Sequence, residues 1–235
     1  MKCSAEDPIW VDEVDSTQDL IAARVLAGDK SSPIVMAGMQ NKGRGRLGRI
    51  WLDEPGKSLL VSVALWDYSD HPKPWLLGMG MALAAAGALQ TQVRWPNDLT
   101  IGGLKVGGIL TELYDAPGSS KVPVIGLGVN LAQSQLPSEI ASKATSLRAA
   151  RGHEWSPENA WRAVMNVFQT IPEPNDWDDL KPVWEVLDDT PGKRYMMPDG
   201  REAVALGLGP GGHLIASVAG ETVSILAAEA LFGTV

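Results

Sequence analysis

Gln40-Asn41-Lys42-Gly43-Arg44-Gly45-Arg46-Leu47-Gly48-Arg49-Ile50-Trp51 interleaves Lys42, Arg44, Arg46 and Arg49 with Gly43, Gly45 and Gly48. Around this stretch the chain is acidic: its 235 residues carry 28 Asp and Glu against 20 Lys and Arg, a net charge of −8. Glycine permits close backbone approach, and guanidiniums present rigid donor forks to carboxylate or phosphate. The pattern suits a loop that wraps a small anion, orders around it and excludes water. A solvated basic loop, or an Arg/Gly contact to RNA, stays open on these residues alone. The overall charge repels phosphate backbones, which disfavours general nucleic-acid binding.

Upstream of the loop, Asp15-Ser16-Thr17-Gln18-Asp19 reads as a helix start. Ser16 is expected to cap, with Asp19 answering as in a capping box, and Gly28 to stop the helix after Ala27. Pro33–Met39 and Ser58–Leu65 read as strands. Pro74–Gln90 reads as a helix that is apolar nearly all round and therefore buried. Strands are then predicted at Gln92–Trp95, at Leu99–Ile101 and Lys105–Tyr114 around the Gly102-Gly103 turn, and at Val122–Leu131. Trp161, Val164, Met165 and Phe168 repeat at helical spacing, as do Leu180, Val183, Trp184 and Leu187; both stripes read as core. Past Asp188-Asp189-Thr190-Pro191-Gly192 come short β-prone runs broken by Asp199-Gly200, Gly209–Gly212 and Gly220, the pattern of a small β-barrel packed on the main domain.

Composition narrows the class. Hydrophobic residues make up 45% and charged residues 20%, which is ordinary for a globular chain. Cys3 is the sole cysteine, so no internal disulfide or Cys-rich zinc site is available, and His71, His153 and His213 are too scattered for a His-based metal motif. Residues 75–89 are interrupted by Gly78, Gly80 and Gly87 and are too short to span a bilayer. Met1–Asp15 carries acids and no apolar core of a signal peptide, so a soluble, cytoplasmic protein is expected, with no membrane partner.

Three further segments carry polar chemistry. Arg94-Trp95-Pro96-Asn97-Asp98-Leu99 places an amide and a carboxylate at a proline turn. Lys105-Val106-Gly107-Gly108-Ile109-Leu110 sets a lysine at a strand start before two positions without side chains, and Gly126-Leu127-Gly128-Val129-Asn130-Leu131 ends a strand on an amide. Singly, these are an Asx-type turn, a surface lysine beside a bulge and a weak G-x-G pair without the third glycine of a dinucleotide fingerprint.

In combination and in this order, the segments resemble the biotin–protein ligases. That family's catalytic domain carries G-R-G-R-x-G-R-x-W, K-W-P-N-D, K-x-x-G-I-L and G-x-G-x-N, and Asp15–Thr17 also match its D-S-T ahead of a helix. The resemblance runs from about Val11 to Leu131. It implies an α/β (α+β) fold of the class II synthetase/biotin ligase type: a central mixed β-sheet flanked by helices in residues 1–187, followed by a small SH3-like β-barrel in 188–235. It implies an ATP-dependent ligase that makes biotinyl-5′-AMP, with ATP and biotin as substrates and Mg2+ accompanying the nucleotide. The biotinyl group then passes to one lysine of a biotin carboxyl carrier protein or domain of a biotin-dependent carboxylase.

By the same resemblance, Ser16, Thr17, Gln18, Gln40, Gly43, Arg44, Gly45, Arg46, Lys105, Gly107 and Gly108 bind biotin. Arg44, Arg46 and Lys105 are the catalytic cations. Arg46, Trp51, Asn97, Lys105 and Asn130 bind ATP or the adenylate, Asn130 at the position that recognises adenine, and Asp98 is the candidate metal contact. Arg94 stands where the family has lysine; an arginine keeps the charge but is no neutral base, so its expected role is supporting. Gln18 replaces the usual Asn, and Asn41-Lys42 replaces a small uncharged residue.

The residues before Val11 are too few for the helix-turn-helix that some members carry. The expectation is therefore the form without a DNA-binding domain and no nucleic-acid partner, with a homodimer left open. The rivals are a lipoate–protein ligase, a thiol-dependent octanoyl transferase, and a non-catalytic biotin-binding protein. The first typically has a G-G-G-A-V-like loop and a D-x-K, the second needs a cysteine within a motif, and the third has no use for Arg46 and Lys105 facing a phosphate.

Overall fold

In the computed structural model, residues 1–2, 7–118, 120–133, 136, 138 and 140–226 are described; Cys3 and residues 227–235 lie outside them. The chain begins β1 (Ile9–Val11), α1 (Thr17–Leu26), β2 (Ile34–Ala37), β3 (Ser58–Ala64) and α2 (Pro74–Leu89). It continues β4 (Gln92–Arg94), β5 (Asp98–Ile101), β6 (Leu104–Asp115) and β7 (Lys121–Asn130), then α3 (Leu147–Arg151), α4 (Pro157–Phe168) and α5 (Lys181–Leu187). It closes with β8 (Arg194–Met196), β9 (Glu202–Leu208), β10 (Leu214–Val218) and β11 (Glu221–Ile225). The first seven strands form one mixed sheet in the order β1-β2-β3-β7-β6-β5-β4, parallel only at β1–β2. The last four form an antiparallel sheet, β11-β10-β9-β8, which fits a small SH3-like domain. The fold is thus a helix-flanked mixed sheet followed by a small β unit.

Two-residue periodicity decides which face each strand shows. On β7, Ile125, Leu127 and Val129 join the main core beneath α2 and α4. The opposite face of β7 shows Val122 and Val124, packed with Ile21 and Val25 of α1, and then Gly126 and Gly128. The two glycines leave a hollow on the sheet beyond the end of α1. Both helical stripes enter the core, with one exception: Leu180 and Trp184 are buried, but Val183 is exposed. Helix α5 begins only at Lys181, so Leu180 is its cap rather than its first turn, and the apolar stripe is narrower than its spacing predicts. Strand β2 is also shorter than expected. At Gly38 the backbone passes so close to Asp12 that an added Cβ would sit 2.8 Å from the Asp12 carbonyl, and the chain turns toward Gln40.

The main core does not stop at the first sheet. Tyr195, Ala203, Ala205, Leu214, Ala216, Val218 and Ile225 belong to the same buried cluster as Trp95, Trp177 and Trp184. Among the described residues no helix is long and apolar enough to cross a membrane.

Candidate active site

The hollow is a cleft bounded by the start of α1, the glycine-rich loop, the β4–β5 turn, the start of β6, and β7. One end is uncharged and rich in hydrogen-bonding groups. Ser16, Thr17 and Gln18 are buried there. Ser16 does occupy the N-cap in extended backbone, but its side chain caps nothing. The cap comes instead from Gln40, whose Oε1 accepts from the Thr17 N–H at 2.8 Å and from the Thr17 hydroxyl at 3.1 Å. Asp19 does not complete a capping box either, since it is drawn into an ion pair with Arg44. Ser62 lies 2.9 Å from the Thr17 hydroxyl and donates to Gln18 Oε1 at 3.0 Å, and Gln18 Nε2 donates to the Val124 carbonyl. Gln40 is fixed in turn by its own N–H, which donates to Asp53 Oδ2 at 3.0 Å; burial raises the Asp53 carboxyl above its ordinary range. Ser62 was not among the expected residues, yet it carried a signal: a serine inside the apolar run Ser58–Ala64.

The other end is cationic. Lys105 Nζ meets Asp98 Oδ1 at 2.6 Å. A register shift puts Lys105 there: Leu99 pairs with Gly107 and Thr100 with Lys105, so Val106 is skipped and enters the core while Lys105 lines the cleft. Arg46 is half-buried, and burial lowers its guanidinium from the ordinary value, opposed by nearby Asp98 and assisted by Arg49. It stands before a tight turn in which Leu47 (φ 56°) and Gly48 (φ 71°) are left-handed.

Arg44 also lines the cleft, but its charge is engaged elsewhere. It pairs with Asp19 of α1 and with Glu112 of β6 at 2.8 Å, and donates to the Tyr114 hydroxyl at 3.0 Å. Burial works against its charge, yet Glu112 and Asp19 together raise its pKa. Glu112 is held below its ordinary value: burial alone would raise it, but bonds from Arg44 and Tyr114 outweigh that. Burial and the Glu112 carboxylate push Tyr114 up to about 12.

The walls are built by close approach. A Cβ on Gly126 would lie 2.8 Å from Gln18 Oε1, and one on Gly128 would lie 2.9 Å from the Trp51 indole. Trp51 therefore lies flush on β7 at the cleft, tied back by its backbone N–H to the Gly43 carbonyl at 2.8 Å. Gly45 and Gly108 line the cleft, whereas Gly43 sits beneath Gln40 and Trp51 and Gly107 turns to the sheet interior against Gly128 and Leu99. Asn97 lines the cleft and grips β6 twice, donating from Nδ2 to the Ile109 carbonyl and accepting from the Ile109 N–H at 2.8 Å. Asn130 stands outside this lining; its amide donates to the Thr145 carbonyl and accepts from Gln133. Among the described residues no three His, Cys, Asp or Glu cluster as a metal site, and Asp98 is the single carboxylate lining the cleft.

The family model for the biotin/lipoate A/B protein ligase family matches residues 10–130. The bifunctional ligase/repressor BirA of Bacillus spizizenii is 33% identical over 171 residues, 68% of this chain and 52% of that protein. The biotin--[acetyl-CoA-carboxylase] ligase of Mycobacterium tuberculosis is 33% identical over 139 residues, 55% of this chain and 50% of its own. The chain thus spans about half the length of these curated relatives. Among solved structures, the biotin protein ligase from Aquifex aeolicus in complex with biotin and ATP is 25% identical with a TM-score of 0.75, covering 95% of this chain and 97% of that one. The motif-bearing segments Arg94–Leu99, Lys105–Leu110 and Gly126–Gly128 fall inside the matched region and converge on one cleft, as do Ser16–Gln18 and the glycine-rich loop. The chain belongs to the biotin/lipoate A/B protein ligase family.

Proposed function

We propose that this protein is an ATP-dependent biotin–protein ligase. The observation that carries the proposal is the polarity of the cleft: a buried, uncharged hydrogen-bonding end and a cationic end share one site between apolar walls. Biotin has that distribution, with a neutral ureido ring at one end, an aliphatic chain, and a carboxylate at the other. Ser16, Thr17, Gln18 and Gln40 supply donors and acceptors to the ureido group. A site built to satisfy such groups rejects acids that lack them, because its own polar atoms would be left unpaired.

At the other end a carboxylate oxygen attacks the α-phosphorus of ATP, and the bond from that phosphorus to pyrophosphate breaks. Two anions must approach, so positive charge and positioning are the main catalytic terms. Lys105 and Arg46 supply that charge, and Asp98 orients Lys105. Arg44, engaged by Asp19 and Glu112, anchors the loop across α1 and β6 where it and Gly45 line the site. Trp51 and Asn97 flank the nucleotide side, and Trp51 helps keep water from the mixed anhydride. Asn130 is assigned to the adenine, which requires the Thr145–Gln133 network around it to open toward the ligand.

The described residues do not form a metal cage: Asp98 alone is at hand and it is paired with Lys105. Mg2+ would therefore be held by the phosphates it accompanies, and no step is assigned to it. In the second half-reaction a carrier lysine amine attacks the acyl carbon, the acyl–phosphate bond breaks and AMP leaves. The names of relatives as biotin--[acetyl-CoA-carboxylase] ligases support a carboxylase carrier domain as acceptor. The need for ATP supports a cytoplasmic location.

The test is pyrophosphate release from ATP with biotin, lipoate or octanoate supplied separately and no carrier present. Release with biotin alone is expected, and Lys105→Ala is expected to lower it on the order of 10²–10³-fold. Release with lipoate alone would move the protein to the lipoate ligases. No release with any acid from folded protein would leave a biotin binder.

A further inference from the structure

We propose that Asp189, in the segment joining the two sheets, is a positioning residue for acid activation: it holds the Arg94–Asp98 turn, and with it Asp98 and Lys105, in register with the cleft. The inference rests on the ligase reading above. Strand β4 is an edge of the large sheet, so its outer backbone groups have no strand to pair with. The connector takes that place. Asp188 bridges Val93 in parallel, and the Asp189 N–H donates to the Val93 carbonyl at 2.8 Å.

Next along the chain, Arg94 is 5% exposed and paired through its guanidinium with Asp189. The remaining lone pairs of that carboxylate are also used. Thr100 of β5 donates to it at 2.9 Å, and Lys193 reaches its other oxygen at 2.9 Å. One carboxylate therefore touches both strands of the β4–β5 hairpin and the approach to the second sheet. Trp95 is held from the same side at three points. Its N–H donates to Thr190 Oγ1 at 2.9 Å, its indole N–H to the Gly212 carbonyl at 3.1 Å, and its carbonyl accepts from the Tyr195 hydroxyl at 2.8 Å. Arg94, Trp95 and Tyr195 themselves line the cleft.

Burial opposes the Asp189 charge, but bonds from Lys193, Arg94 and Thr100 keep its carboxyl below the ordinary range. A buried ion pair is weak evidence of stabilisation, since an apolar pair of similar size often serves as well. What the charges add is a fixed geometry at the turn that ends in Asp98, 2.6 Å from Lys105. Arginine in place of the family lysine fits this: its fork reaches the carboxylate and the Gly103 carbonyl together.

The test uses Asp189→Asn and Thr100→Val, which removes one donor to the same carboxylate, in the full chain. Amide hydrogen exchange in peptides covering residues 94–98 is expected to quicken about tenfold or more, with α2 unchanged. Turnover in biotin-dependent pyrophosphate release is expected to fall about 10- to 100-fold while the KM for biotin stays within about twofold, because the ureido end is untouched. Unchanged exchange at 94–98 in either folded variant would overturn the proposal, as would unaltered turnover or faster exchange throughout the chain. Should Asp189→Asn not fold, Thr100→Val decides the matter by the same criteria. Wild-type protein that releases no pyrophosphate with biotin defeats the ligase reading, and exchange at 94–98 still decides whether Asp189 holds the turn.

Discussion

At the scale of single residues, the arginines of the glycine-rich loop divide their labour. Arg46 and Asp98 both line the cleft, whereas Arg44 is spent on Asp19, Glu112 and Tyr114. That trio links loop, helix and strand, and its stability depends on pH with a definite sign. Glu112 has a folded pKa below its ordinary 4.5, so the stabilisation it contributes is complete above that value and lost as pH falls below it. Glu112→Gln is therefore expected to flatten the fall of Tm between about pH 5 and about pH 3 while changing it little near neutrality beyond a uniform offset. A parallel fall in the variant and the parent would remove Glu112 from that role.

At the scale of elements, the cleft exists because β7 offers glycine where its neighbours offer valine. Alternation puts Val122 and Val124 against α1 and leaves Gly126 and Gly128 for Gln18 and Trp51. Gly128→Ala would bring a methyl within 2.9 Å of the indole, so Trp51 must shift. Such overpacking costs about 1–3 kcal/mol of stability. With this cleft residue displaced, kcat/KM for ATP is expected to fall on the order of tenfold, since small misplacements at a reacting site are expensive. Wild-type kcat/KM for ATP in a folded Gly128→Ala variant would detach Trp51 from the nucleotide. Much of this level was legible in advance: the predicted strands and helices lie where periodicity and turn residues put them, although the three-residue β1 and the five-residue α3 are too short to show a period and went unpredicted. The Val183 stripe and the Ser16 cap were not, because one depends on where α5 starts and the other on Gln40 arriving from a distant loop.

At the scale of the whole molecule, the two sheets share an apolar core. Trp95, Trp177 and Trp184 from the first part of the chain are buried in one cluster with Tyr195, Leu214 and Ala216 from the second. A division of the chain after residue 187 into two domains is proposed from the change in strand pattern, but the shared core argues for one thermodynamic unit. Denaturant unfolding is expected to show a single transition, with tryptophan fluorescence and far-ultraviolet circular dichroism coinciding. Two separated transitions would mean that the second sheet folds independently of the first.

The sequence by itself determined the chemistry of this protein: which segments are polar, which strands carry glycine, and which cations stand in an acidic chain. Those properties are local, written in residue type and spacing, and they sufficed to identify the family and the strands and helices that build the site. Only the tertiary structure decided how the cations are used. Arg44 is neutralised by Glu112, 68 positions away, and Arg94 by Asp189, 95 positions away. The register shift that turns Lys105 into the cleft is likewise a property of strand pairing. Charge is a property of a residue, but whether it faces a ligand or a carboxylate depends on which distant segment the fold brings beside it.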